Sequence, residues 1–281
     1  MILVTGGAGF IGTNLVKELN NRGVFSIIVI DDMTDGSKFR NLVHCKIADY
    51  IDATVFREAI RTNSFTIQPL AIFHYGAISS TTETNGREML DANFTYSNEL
   101  FHWCQDQRVP LIYASSAAVD GNCSNFSEDG KEAPLNYVLA NLDSRPSQVV
   151  GLRLFNIYGP GEQHKGAMAS VVYQFYQKRK ALKDIELFDS YDGVEAGQHK
   201  RDFVHVEDVD LATEVSSHFG DTDGYIKFIP FPAQLKGNYQ NYTCANISKL
   251  RRAGAGISFR GLREGIDNYL EWLETNDSCD V

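Results

Sequence analysis

The first 32 residues hold the pattern that most restricts the fold: a strand, a glycine-rich loop, a helix and a second strand with an acidic end. Ile2-Leu3-Val4 leads into the loop Gly6-Gly7-Ala8-Gly9-Phe10-Ile11-Gly12, and the next apolar residues, at helical spacing, are Leu15, Val16 and Leu19. Residues 25–30 form an apolar run that ends at Asp31-Asp32, which is typical of a strand buried on both faces of a parallel sheet. The pattern predicts the β–α–β unit of a doubly wound α/β fold.

The loop glycines fit a dinucleotide site, because a pyrophosphate must approach backbone N–H groups at a helix N-terminus. We expect Gly6 to permit a tight turn, Gly9 to permit the close approach, and Gly12 to let the helix pack on the strand. Phe10 and Ile11 are the first residues of the predicted helix, and we expect them to contact the cofactor as well. The alternative is a glycine-rich turn that binds no ligand.

The choice of dinucleotide depends on residues about 20 positions after the glycines, where an acid holds the ribose of NAD and a cation accommodates the 2′-phosphate of NADP. Asp31 and Asp32 provide the acid, and Lys38 provides the cation. We expect NADP rather than NAD, since Lys38 lies in a loop that can fold over the adenosine. The alternative for Lys38 is a solvated loop lysine.

Two later apolar runs predict further parallel strands. Residues 71–77 end in small residues that make room for a cofactor, and the predicted cofactor contacts at this end are Tyr75, Gly76, Ala77, Ile78 and Ser79. His74 lies inside that run and is interpreted as a core histidine. The run at 111–117 ends in serines. On the helix between the two runs, we expect Leu90 and Phe94 on the apolar side and Asn93 to face the cofactor.

Composition excludes several classes of protein. The chain has 26 Lys and Arg against 36 Asp and Glu, a formal charge of −10, which argues against nucleic acid and anionic membrane surfaces as partners. No apolar run approaches the roughly 18 residues of a membrane span, and no signal peptide is recognisable. The five scattered cysteines form no C-x-x-C pair, so we expect free thiols, no metal site and a cytoplasmic location.

The glycine spacing resembles that of the extended short-chain dehydrogenase/reductase superfamily. Further segments resemble the ADP-glyceromanno-heptose 6-epimerases, notably His164-Lys165-Gly166 and Pro230-Phe231-Pro232. The other matching segments are residues 31–39, 76–83, 113–118, 155–160, 167–171, 200–206 and 233–237. The resemblance implies an isomerase with an NADP-binding Rossmann domain at residues 1–158 and 199–224. It also implies a smaller α/β substrate domain at residues 159–198 and 225–281, closed by a C-terminal helix, and a homo-oligomer assembled as a ring.

In that family, oxidation to a transient ketone and re-reduction invert C6″ of ADP-heptose, so an acid/base is needed on each side of the carbon. The resemblance assigns one of these roles to Lys165, although phosphate binding is a rival role, and makes Ser116 the group that polarises the reacting oxygen. The alternative role for Ser116 is capping of the strand end. Family contacts to the cofactor or the ADP-sugar fall on Asn156, Ile157, Phe188, Arg201 and Tyr239. Arg201 could instead pair with Asp202.

The sequence departs from the family at its other acid/base, the tyrosine of a Tyr-x-x-x-Lys helix. After Asn136, the position four past Tyr137 is Asn141 and not lysine, and about three helical turns are missing. A strand and a helix are also missing near Gly224. Either the sequence omits stretches of a working epimerase, which we favour because the other motifs are retained, or the protein is a non-catalytic NADP-binding relative. Another nucleotide-sugar epimerase or dehydratase is a further alternative.

Overall fold

A computed structural model describes residues 1–78, 84–116, 146–154, 156–198, 200–201, 206–207, 226–232, 248, 252 and 261–276 of the chain. The chain divides into two units, Met1–Leu154 and Phe155–Val281. The predicted assignment of residues 199–224 to the nucleotide-binding domain stays a prediction, since most of these residues lie outside the described ones.

The first unit contains a six-stranded parallel sheet with the order β3-β2-β1-β4-β5-β6. Its strands are β1 (Ile2–Thr5), β2 (Ile27–Asp31), β3 (Asp49–Asp52), β4 (Ala71–His74), β5 (Leu111–Ser116) and β6 (Val149–Leu154). Strand β1 pairs with both β2 and β4, so the order of the strands reverses there, which is where doubly wound sheets bind their ligands. The predicted Rossmann-type sheet is confirmed.

Helices lie on both faces of this sheet because successive residues of each strand point to opposite sides. On one side, Leu3 and Ile72 belong to a core that includes side chains of two helices, α3 (Ala53–Arg61) and α5 (Tyr96–Asp106). On the other side, Val4 and Val29 pack with Val16 of α1 (Phe10–Asn21). Two short helices, α2 (Phe39–Leu42) and α4 (Gly86–Leu90), complete the unit, and a π-helical turn, Asp91–Thr95, joins α4 to α5.

One detail of the predicted helix after β4 is wrong. Leu90 was expected on its apolar side, but 44% of the residue is exposed, whereas Met89 is fully buried. The buried stripe runs through Met89, Asn93, Tyr96 and Leu100, and it includes a polar residue. A prediction from hydrophobic spacing leaves out a polar residue such as Asn93, so it begins the buried stripe at Leu90 instead of Met89.

The second unit contains a parallel pair of strands, β7 (Ile185–Phe188) with β10 (Ile226–Ile229), and a short antiparallel pair, β8 (Lys200–Arg201) with β9 (Val206–Glu207). Its longer described helices are α6 (Val171–Lys180) and α7 (Leu262–Asn276). In α7, Ile266, Leu270 and Leu273 are fully buried, in agreement with their helical spacing, and they join a core with Val172 and Ile185.

Candidate active site

The glycine loop between β1 and α1 is built from backbone packed against backbone. Gly6 has a φ of +66°, and a Cβ there would lie 2.6 Å from the backbone nitrogen of Gly76. A Cβ on Gly12 would lie 2.1 Å from the carbonyl oxygen of Gly6, so α1 packs on the loop itself rather than on a strand residue. Both positions therefore require glycine for the fold of the loop.

Gly9 differs from Gly6 and Gly12, because the packing of the loop does not exclude a side chain there in the same way. It is the N-cap residue of α1, no side chain caps that helix, and the first turn carries no acid. A Cβ on Gly9 would be close to one atom, the carbonyl oxygen of Gly6, at 3.2 Å. Phe10 and Ile11 form the first turn, as predicted. An open helix N-terminus beside a glycine has the donors and the shape that a pyrophosphate requires.

The acidic end of β2 is tied to the glycine loop. Asp31 is buried, and its carboxylate accepts hydrogen bonds from the backbone N–H groups of Ala8 and Asp32, both at 2.8 Å. The Lys38 ammonium lies 3.2 Å from the same carboxylate and 3.1 Å from the carbonyl oxygen of Asp32. The Asp32 side chain is exposed, and hydrogen bonds from Thr34 lower the pKa of its carboxyl. The predicted acid and cation are therefore neighbours.

Buried polar groups hold the loop after β4. The His74 ring lies 2.6 Å from the Thr5 hydroxyl and 2.9 Å from the Ser97 hydroxyl, and burial lowers the pKa of His74 to about 4. Asn93 uses both atoms of its amide, since it accepts from the Ile78 N–H at 2.8 Å and donates to the Ile78 carbonyl at 2.9 Å. Asn93 was expected to face the cofactor; its hydrogen bonds hold the loop that carries Gly76, Ala77 and Ile78.

A small cavity of about 20 Å³ lies between the ends of β4 and β5, with room for roughly one water molecule. Tyr75, Gly76 and Ala77 line it together with Asn93 and Tyr113. The side chain of Ser116 lies outside the described part, as does Ser79. The predicted cofactor contacts in the glycine loop, at the end of β2 and after β4 belong to the first unit, and three of those after β4 line this cavity.

In the second unit, Lys165 lies in a 3-10 turn, Gln163–Met168, next to the buried Glu162. Lys165 is half-buried, and burial lowers the pKa of its ammonium while the Glu162 charge raises it. Glu162, the buried neighbour of Lys165, was not among the residues predicted from the sequence. A glutamate between glycine and glutamine gives no local sign of burial, because its partners are at Gly159 and Ser170.

The other predicted contacts of this unit are partly described. Asn156 and Ile157 are exposed. The Phe188 ring lies 5.1 Å from the ring of Phe231, which stacks on Tyr191 at 4.0 Å. Tyr239 and the side chain of Arg201 lie outside the described residues, as do Tyr137 and Asn141. Their predicted roles stay predictions.

Two further properties concern only the part of the chain that the structure describes. None of its helices is both long and apolar enough to cross a membrane. Within the same residues, no group of three His, Cys, Asp or Glu side chains could hold a metal ion.

Comparison with known proteins agrees with this arrangement. The model of the NAD dependent epimerase/dehydratase family matches residues 2–140 and 136–213 as two segments. The ADP-L-glycero-D-manno-heptose-6-epimerase of Alkalilimnicola ehrlichii is 45% identical over an alignment of 311 positions, which covers 96% of this chain and 97% of the relative. That alignment is 30 positions longer than the 281-residue chain, so at least that many residues of the relative have no counterpart here.

Solved structures give the same result. The structure of ADP-L-glycero-D-manno-heptose-6-epimerase from Helicobacter pylori superposes with a TM-score of 0.83 at 25% identity, over 97% of this chain and 96% of that one. UDP-glucose 4-epimerase from Thermotoga maritima has a TM-score of 0.81 at 20% identity, over 98% of each chain, which shows the shared fold. The chain therefore belongs to the NAD dependent epimerase/dehydratase family and, within it, to the ADP-L-glycero-D-manno-heptose-6-epimerases, which are isomerases.

Proposed function

We propose that this enzyme converts ADP-D-glycero-D-manno-heptose to ADP-L-glycero-D-manno-heptose with NADP as its resident cofactor, in the synthesis of a lipopolysaccharide core precursor. The observation that carries the proposal is the 45% identity to an ADP-L-glycero-D-manno-heptose-6-epimerase, because it extends over 96% of this chain and so includes both units. A cytoplasmic location and a homo-oligomeric ring belong to the same proposal.

The cofactor site fits a dinucleotide phosphate. The pyrophosphate would lie at the open N-terminus of α1 beside Gly9, and Lys38 would meet the 2′-phosphate. The Asp31 carboxylate already accepts from Ala8, Asp32 and Lys38, so it is less available to a ribose hydroxyl than in an NAD site. When bound, NADP supplies the chemistry of taking a hydride from C6″ and returning it to the opposite face of the resulting ketone.

Lys165 would serve as one acid/base. Its burial favours the neutral amine, which can take the proton of the C6″ hydroxyl and later give a proton back to the ketone oxygen. The Ser116 hydroxyl would donate a hydrogen bond to that oxygen, and Arg201 would bind the diphosphate. Asn156, Ile157, Phe188 and Tyr239 complete the proposed contacts.

The activity is tested with the NADP-loaded protein and substrate carrying deuterium at C6″, followed by proton NMR. We expect conversion of the D-glycero to the L-glycero sugar with the deuterium retained, because the same hydride returns. UDP-glucose, which lacks the heptose, serves as the control substrate. Loss of the label to solvent would contradict the return of the same hydride.

A second function, that of a non-catalytic NADP-binding protein, is favoured by one observation, the absence of Tyr-x-x-x-Lys after Asn136. It predicts tight cofactor binding and no conversion of the labelled substrate. The same experiment therefore separates the two functions, provided that the bound cofactor is measured in the sample that is assayed.

The cofactor preference is tested by Lys38→Met. We expect NADP binding to weaken about 10-fold or more while NAD binding changes little, because one charge-assisted contact to the 2′-phosphate is lost. Isothermal titration with both cofactors measures the change, and Lys46→Met, at an exposed lysine of the same unit, is the matched control. Equal losses for the two cofactors would contradict the proposed contact.

A further inference from the structure

One buried carboxylate closes the loop that carries Lys165. The Glu162 side chain is completely buried, and its two oxygens accept hydrogen bonds from both ends of the loop. Oε1 accepts from the Gly159 N–H at 3.3 Å and from the Ser170 hydroxyl at 2.7 Å, and Oε2 accepts from the Ser170 N–H at 2.5 Å. We call this set of three hydrogen bonds the Glu162 clamp.

All three partners in the Glu162 clamp are donors. The Ser170 hydroxyl gives its proton to Glu162 and accepts the Tyr173 N–H at 3.3 Å, as the N-cap residue of α6. An ionised carboxylate is acceptor-only, so it matches three donors. A buried negative charge is stabilised by hydrogen-bond donors and by a helix N-terminus, and the Glu162 carboxylate has three donors and the N-terminus of the ten-residue helix α6.

The backbone around Lys165 is bound to the same residue and to α6. The Lys165 N–H donates to the carbonyl oxygen of Glu162 at 2.9 Å. On the other side, the Gln174 amide donates to the Gly166 carbonyl at 2.8 Å. Gly166 has a φ of +52° and a ψ of −122°, which a residue with a side chain rarely adopts. Lys165 thus lies on a short turn with a restrained neighbour on each side.

The Glu162 charge also acts on the Lys165 amine. Burial lowers the pKa of Lys165 and the carboxylate of Glu162 opposes that effect. The other titratable neighbour in the turn is His164, whose Nδ1 lies 3.0 Å from the Gly161 carbonyl. Glu162 is therefore a charged group that acts on the Lys165 amine.

We propose that Glu162 is a positioning residue for Lys165, acting through the clamp that closes the turn and through the negative charge of its carboxylate. The inference rests on the proposed function, because it assigns Glu162 to the reaction that Lys165 serves. It does not require Glu162 to touch substrate or cofactor.

The test compares Glu162→Gln, which removes the charge, with Glu162→Asp, which keeps the charge and shortens the reach. For Glu162→Gln we expect kcat to fall about 10²-fold, as for a displaced catalytic group, and the pKa of Lys165 to fall. For Glu162→Asp we expect a lower kcat but a Lys165 pKa close to that of the wild type. Glu186→Gln, at an exposed carboxylate of the same unit that pairs with Lys178, should change neither quantity.

The pKa of Lys165 is measured without turnover, by competitive labelling with trace acetic anhydride across pH and mass spectrometry of the peptide. If Glu162→Gln does not fold, Ser170→Ala, which removes one donor and leaves the charge, should lower kcat without moving that pKa. The proposal is overturned if Glu162→Gln keeps the wild-type kcat, or if its kcat falls while the Lys165 pKa stays in place. A fully active Lys165→Met would instead refute the role of Lys165 in the proposed function, whatever the labelling shows.

Discussion

At the scale of single residues, the hydrogen bonds around His74 determine where its proton lies. The Ser97 hydroxyl donates its one proton to the Asn93 carbonyl at 2.8 Å, so towards His74 it can only accept, and Nε2 must carry the proton. Nδ1 then accepts from the Thr5 hydroxyl, which in turn accepts the Gly76 N–H at 3.3 Å. A neutral His74 therefore links the end of β1, the loop after β4 and the helix that carries Asn93.

This series of hydrogen bonds predicts that the stability of the protein depends on pH. Burial lowers the pKa of His74 to about 4, whereas in the unfolded chain it is about 6.5. The unfolded state thus binds the extra proton first, and stability should fall as the pH drops from about 6.5 towards 4, by up to about 1.4 kcal/mol per pH unit from this group. His74→Gln should be less stable than the wild type near neutral pH, with a difference that shrinks on acidification.

Urea denaturation between pH 4 and 7 measures that difference. His44→Gln, at an exposed histidine of the same unit, is the matched control and should follow the wild type. A difference between His74→Gln and the wild type that stays constant over this range would show that His74 is not held neutral.

At the scale of elements, the sequence predicts β1, β2, β4, β5, the first helix and the C-terminal helix, because each has its own periodicity or end signals, whereas the four-residue strand β3 was not predicted. Gly23, for example, follows α1 with a φ of +78°, the left-handed conformation that glycine commonly adopts after a helix. The contacts of the site were harder to predict where the two hydrogen-bonded residues are distant in sequence. The Asp31 carboxylate was assigned to a ribose, but it accepts from Ala8, 23 residues earlier. Glu162 gave no signal, because its burial depends on the folded turn and on α6.

The N-terminus of α3 offers a test of an element end. Asp52 ends β3 and caps α3, and its carboxylate accepts from the backbone N–H groups of Thr54, at 2.8 Å, and Val55, at 3.3 Å. Asp52→Ala should lower the free energy of unfolding by about 1 kcal/mol. The hydrogen bonds from Thr54, the side-chain one first, lower the pKa of Asp52, so this contribution is present above the unfolded pKa of about 3.9 and lost as the pH falls through the lower folded value.

Urea denaturation at pH 7 and again below pH 4 checks both parts of this prediction. Asp49→Ala removes a carboxylate from the exposed start of the same strand, where it accepts from its neighbour Tyr50, and should cost less. Equal losses for the two variants at pH 7 would mean that the cap does not stabilise α3.

At the scale of the whole molecule, charge and length both need a local explanation. With a net charge of −10, the chain must attract the proposed anionic nucleotide sugar through a few groups, for which Lys165 and Arg201 are the candidates, since the overall field repels it. The length is short for the family. The alignment with the Alkalilimnicola relative exceeds the chain by 30 positions, and the family model resumes at residue 136 after matching up to residue 140.

The two segments matched by the family model overlap at residues 136–140, where the resemblance predicts the Tyr-x-x-x-Lys helix, and peptide mapping of the natural protein tests whether residues are missing there. Trypsin cleaves after Lys131 and Arg153 but poorly between Arg145 and Pro146, so the sequence as it stands predicts one peptide of residues 132–153. We expect a longer peptide or peptides there, including a tyrosine four residues before a lysine, because the retained motifs are those of a working epimerase. The peptide of residues 154–165 is the internal control.

Recovery of the uninterrupted peptide 132–153 would instead show that the protein itself lacks the Tyr-x-x-x-Lys helix. The protein would then lack a general base that contributes about 10²–10⁴ in rate. The proposed NADP site at the glycine loop, Asp31 and Lys38 would remain, since none of these residues depends on that segment for the hydrogen bonds described. Cofactor binding without conversion of ADP-heptose would follow, and the chain would be the non-catalytic relative.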